Sequence, residues 1–142
     1  MKSILPCQLI GLVLAAFTVA LSSCANSAGS RVVPHPVHNA LHFSGDYVEV
    51  SKCDVPPHAI RQAVPHYPAE LRRAGYSGEA RLWFIVETDG RVIEIQIEDA
   101  SSVEFGEAAR ASISQWKFSP GIKSGQAVRT LCQIVMPFTL ME

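Results

Sequence analysis

The chain has 142 residues with 12 basic and 13 acidic side chains, a formal charge of −1. That length supports one small domain and a tail rather than two domains. A charge so close to balance gives no basis for nucleic acid or anionic lipid as a partner.

Met1 and Lys2 are followed by an uncharged run from Leu9 to Leu21, the pattern of a secretory signal. At about thirteen residues this run is shorter than the roughly 20 that span a bilayer. Extended back through Ile4 it reaches spanning length, so an uncleaved anchor helix is the competing reading. Leu21-Ser22-Ser23-Cys24 resembles the bacterial lipobox, so residues 1–23 are expected to be removed and Cys24 to carry lipid. In such lipoproteins an Asp directly after the Cys retains the protein in the inner membrane. Ala25 stands there instead, which implies the outer membrane, with several acyl chains giving firm anchoring where one would not. Cys7 goes with the signal, which leaves Cys53 and Cys132. An oxidising compartment favours a bridge between them, with roughly 4 kcal/mol of stabilisation for a loop of that length. Two separately buried thiols are the alternative.

Residues 25–46 are rich in small residues, Pro and His without a helical or strand period, and read as a flexible tether. His35, His38 and His42 are potential metal ligands, but Pro34 and Pro36 block a helix that would gather them, so no metal is expected. Tyr47–Cys53 alternates like a strand, and Pro56-Pro57 ends it. Pro68 opens a short helix through Ala69–Arg73, which Gly75 stops. Glu79–Thr88 alternates with Ala80, Leu82, Phe84 and Val86 on one face. Asp89-Gly90 is a turn signal, and Arg91–Asp99 returns as a strand with Ile93, Ile95 and Ile97 inward. Ser101 or Ser102 caps the next helix, Val103 to Trp116, with Phe105, Ala109, Ser112 or Ile113 and Trp116 on its buried stripe. After Pro120 and Gly121, Ala127–Leu140 alternates again as a long closing strand. The predicted architecture is α+β: a small antiparallel three-stranded sheet with two helices packed on one face. The expected divisions are a signal at 1–23, a tether with a short strand at 24–58, and a domain at 59–142.

Pro65-His66-Tyr67-Pro68, Leu71, Gly75, Gly78, Phe84-Ile85-Val86, Asp89-Gly90-Arg91-Val92, Ser101-Ser102, Phe105, Ala108-Ala109, Trp116-Lys117-Phe118-Ser119-Pro120, Gly125 and Phe138-Thr139-Leu140 together resemble the TonB C-terminal domain. Tyr67, Phe84, Trp116, Phe118 and Phe138 are assigned to the core rather than to contact surfaces, so the motif speaks for architecture and function needs its own argument.

The resemblance implies a protein-binding module that pairs with an extended segment, the TonB box of an outer-membrane receptor, by strand addition. On that implication the partner-binding residues are Val64 and His66 before the first helix, and Val128, Arg129, Thr130, Leu131 and Gln133 on the closing strand. Val64 stands where well-studied members place a Gln that touches the receptor peptide. Energy-transducing members also carry a His-bearing membrane helix and a long spacer, and this chain lacks that His. Three roles therefore stay open: a periplasmic binding lipoprotein, a short inner-membrane energy transducer, and an envelope adaptor like the related TolA domain. The expected partner is an outer-membrane receptor or another envelope protein, with homodimerisation left open. No cofactor is expected, and Ser101, Ser102, His58 and His66 form no pattern of nucleophile, base and orienter, so no catalytic residue is assigned.

Overall fold

The computed structural model describes residues 34–140; the expected signal at 1–23 and the lipid acceptor Cys24 lie outside them. In chain order the elements are β1 (Val37–His38), β2 (Val48–Glu49), a 3-10 turn at Val50–Lys52, β3 (His58–Arg61) and α1 (Ala69–Arg73). They continue through β4 (Gly78–Val86), β5 (Val92–Ala100), α2 (Val103–Ile113), β6 (Lys117–Ser119), β7 (Gly121–Lys123), β8 (Gln126–Val128) and β9 (Thr130–Phe138). The main sheet has five strands in the order β1-β5-β4-β9-β2. Two small ribbons, β3 with β6 and β7 with β8, flank it.

The α+β class is as the sequence implies, but the sheet has five strands rather than three. The central three, β5, β4 and β9, are the ones that alternation predicts. The extra two are single pairs of residues from the presumed tether, one on each edge: Val37 and His38 antiparallel to Ala100 and Asp99, Val48 and Glu49 parallel to Thr130 and Leu131. The two residues of β1 are too few for a periodic signal, whereas β2 lies within the expected Tyr47–Cys53 strand. That strand is cut to two residues, because Val50–Lys52 turns away.

Ala80, Leu82, Phe84 and Val86 face the helices and are fully or almost fully buried. They pack with Leu71 of α1 and with Phe105, Ala109 and Ile113 of α2. Tyr67, Phe105 and Phe138 form a ring triangle with centroids 4.6 to 5.8 Å apart, a geometry that adds to plain burial. Ser102 caps α2 by accepting from the Phe105 amide at 3.2 Å. Ser101 instead accepts from the Glu79 amide, so the two serines divide the work of cap and strand tie.

The inward set of β5 is not the predicted one. Val92, Ile95 and Ile97 pack against the core while Ile93 does not, because β5 bulges opposite Phe84, where Trp83 pairs with Gln96 but Ile85 pairs with Ile93. Glu94 sits in that bulge at φ 48°, and each extra residue moves the following side chains to the other face. The closing strand is also broken. β8 belongs to a hairpin whose two turn residues, Ser124 and Gly125, have φ 52° and 76°, as a tight two-residue connection requires. The ladder with β4 restarts at Thr130.

Candidate partner-binding edge

The sheet has two outer faces of very different character. Its helix-free side is crossed by residues 39–47, a strap that runs from β1 on one edge to β2 on the other. Asn39 donates to the Glu98 and Ile97 carbonyls at 2.9 and 3.0 Å. His42 and Gln96 bond reciprocally, backbone to side chain. Ser44 donates from its amide and its hydroxyl to the Glu94 carboxylate, both at 2.8 Å. Leu41, Phe43 and Tyr47 line a cavity with Trp83 and Leu131. Beneath this side Ile85 and its cross-strand partner Leu131 are 0% and 9% exposed.

Arg129 fastens the strap. Its guanidinium meets Glu87 at 2.9 Å and Glu94 at 3.2 Å, and donates to the Ser44 and Asp46 carbonyls. The Ser44 hydrogen bonds, with Arg129 nearby, hold the Glu94 carboxyl below the usual range.

The two edges of the sheet are finished differently. β5 is blunted by its bulge, by β1 and by Asn39. On β9 only Thr130 and Leu131 have an outer strand partner among the described residues. The Val48 amide donates to the Arg129 carbonyl at 2.8 Å, so Arg129 faces outward. Ladder groups alternate sides along a strand, which puts Leu131, Gln133, Val135 and Pro137 on the same outer side. Leu131 is engaged by β2, and Pro137 has no N–H to offer. The open stretch is therefore Gln133 to Val135, both exposed. Beside it lies a groove of about 440 Å³ lined by Gln62, Ala63, Val64, Pro65, Trp116, Ile134, Val135, Met136 and Pro137. The far wall is fixed, because the Ala63 carbonyl accepts from Trp116 Nε1 at 2.9 Å and from the Ser112 hydroxyl at 2.5 Å.

The residues named from sequence are divided by this geometry. Gln133 lies on the open stretch, with its side chain bonded to Glu98, and Val64 forms the opposite wall, 90% exposed. His66 is exposed beyond that wall. Val128 pairs with Gly121 in the hairpin, Arg129 fastens the strap, and Thr130 is fully buried under β2. Val135, Pro137 and Trp116 join the groove without having been named. Pro137 was the available signal, since a proline within a strand points its missing donor at an unpaired side.

Cys53 and Cys132 are both free thiols rather than the expected bridge. Cys53 Sγ lies 3.6 Å from the Thr130 hydroxyl and 3.7 Å from the Glu49 carbonyl, and Cys132 Sγ lies 3.8 Å from the Thr130 carbonyl. Both thiols thus meet Thr130, one at its hydroxyl and the other at its carbonyl. Burial, with Cys53 adding to it, pushes the Cys132 thiol up to about 12. Of the three candidate metal ligands, His38 pairs with Asp99 at 3.3 Å. Among the described residues no three His, Cys, Asp or Glu side chains gather into a metal site.

These features define a small α+β domain whose β9 edge is partly open among the described residues. The profile of the Gram-negative bacterial TonB protein C-terminal family matches residues 63–140, and the chain belongs to that family. Protein TonB of Pseudomonas aeruginosa is 30% identical over 76 residues, 53% of this chain and 22% of that protein. Protein TonB of Vibrio cholerae is 32% identical over 88 residues, 61% of this chain and 36% of that protein. The chain thus corresponds to about a third or less of the length of these relatives. The solution NMR structure of the Pseudomonas aeruginosa TonB C-terminal domain superposes with a TM-score of 0.54 at 23% identity, covering 69% of this chain and 98% of that one. That likeness is one of fold. No helix among the described residues is long and apolar enough to cross a membrane.

Proposed function

We propose that this chain is a periplasmic protein-binding module associated with TonB-dependent outer-membrane transport, and that it takes an extended segment of its partner as an added strand on β9. The observation that carries this reading is the open Gln133–Val135 stretch facing the apolar groove. Main-chain groups there would supply affinity, and the wall formed by Val64, Pro65, Met136 and Pro137 would select apolar side chains on the guest. The order Leu21-Ser22-Ser23-Cys24 supports a lipid anchor at Cys24, and hence a module held at the outer membrane. The test is a pulldown of receptor plug domains with and without their TonB boxes. Capture that depends on the box is the expected result, and capture indifferent to it would refute receptor coupling.

A further inference from the structure

The β9 edge already carries a strand of this chain. β2 is two residues long, and its parallel register sets Val48 between Arg129 and Leu131, so the Val48 carbonyl faces the Leu131 amide. The strap that delivers it is held by polar contacts at Asn39, His42 and Ser44. On its far side, Asp54 and Val55 bond to Ile122 at 2.8 to 3.1 Å. The family match begins at residue 63, so the strap stands outside the shared domain.

We propose that the strap is a resident strand that closes the Arg129–Leu131 end of the β9 edge and competes there with an incoming partner strand. The idea rests on the strand-addition reading above. Pro137 bounds the open stretch at one end by chemistry, since it has no donor to give. Val48–Glu49 bounds it at the other end by occupancy. A guest that pairs only with Gln133 and Val135 is indifferent to the strap. A longer guest needs the Arg129 carbonyl and the Leu131 amide, and gains them only when β2 lifts off. Such lifting is a local opening: β2 is two residues long, and the hydrogen bonds that hold the strap at Asn39, His42 and Ser44 are exposed. Lifting also uncovers Leu131, so the guest that replaces β2 must carry an apolar side chain where Tyr47 and Phe43 now line the cavity over it.

The test uses the full chain with Val48→Pro, which removes the donor to Arg129, and reads two signals. Amide exchange at Leu131 is expected to accelerate at least tenfold while Gln133 and Val135 keep their rates. A labelled synthetic peptide with the sequence of residues 44–52, added in trans, is expected to bind the variant at least tenfold tighter than the unaltered chain. Unchanged exchange at Leu131, or equal peptide affinity for both proteins, would overturn the proposal. Glu94→Gln, which weakens the Ser44 anchor without touching the core, should accelerate Leu131 exchange in the same direction; no change there would also count against it. The exchange arm involves no partner, so it fails or succeeds independently of the receptor reading. That reading falls instead if a TonB-box peptide leaves Gln133 and Val135 unprotected even in the Val48→Pro chain.

Discussion

Glu94 and Arg129 meet at 3.2 Å and grip the same residue of the strap: Glu94 accepts from the Ser44 amide and hydroxyl, and Arg129 donates to the Ser44 carbonyl. Glu94 reaches that position from a bulge in the left-handed region, which costs a side-chain-bearing residue about 1–2 kcal/mol. The hydrogen bonds that its charged carboxylate accepts from Ser44 offset that cost. The bulge and the strap are therefore one device.

Arg129→Ala should lower unfolding stability by about 1–3 kcal/mol, because it leaves Glu87 and Glu94 facing each other without their shared cation. Urea titration would measure the loss. Amide exchange should rise at Ser44 and Val48 while the β4 amides stay protected. Arg129→Lys should restore little, since an ammonium lacks the planar fork that reaches four acceptors.

The same clip sets an acid limit. The Glu94 carboxyl is lowered by its bonds to Ser44 and by Arg129. Its stabilising effect is thus complete above the ordinary glutamate value, about 4.3, and fades as pH falls through the lower folded value. An NMR pH titration of the Ser44 amide should show the strap intact at neutrality and released only below about pH 4. Release already at pH 6 would contradict the assignment.

Alkali acts through Cys132. Its thiol, raised to about 12, stays protonated in the fold after an unfolded thiol has ionised near 8.5. The stabilisation is complete below about pH 8.5 and is lost progressively as pH rises toward the folded value. Maleimide labelling at pH 8 should modify the half-buried Cys53 well before Cys132, and mass spectrometry after brief exposure would read the order.

Gly90 has φ 80°, and a Cβ there would stand 1.9 Å from the Phe118 carbonyl oxygen. That residue's amide in turn bonds the Gly90 carbonyl at 3.0 Å. Gly90→Ala should therefore cost more than the roughly 1–2 kcal/mol of the left-handed backbone alone, measured as a lowered thermal midpoint.

The parts of this fold legible in sequence are those with a long period or a distinct turn residue. Phe105, Ala109 and Ile113 announced α2, and Phe84 with its alternating neighbours announced β4. The bulge at Glu94 was hidden because Ile93, Ile95 and Ile97 mimic an unbroken strand. The strap was hidden for another reason: Asn39, His42 and Ser44 are exposed polar residues whose partners lie more than forty residues away, a relation no local pattern encodes. The candidate edge was half legible. The closing strand could be placed, but which of its residues were already paired depended on Val48 and Glu49. The Cys53–Cys132 bridge was inferred from compartment, whereas the two thiols instead bond to the groups around Thr130.

The central claim is that β9 accepts a partner strand at Gln133 and Val135. The most direct measurement is residue-resolved amide exchange on the full chain, with and without a receptor plug segment carrying its TonB box. The account predicts new protection at Gln133 and Val135, lost in Val135→Pro, which removes the outward donor at that position. Binding with protection confined to α2 or β3, or binding undiminished by Val135→Pro, would contradict it.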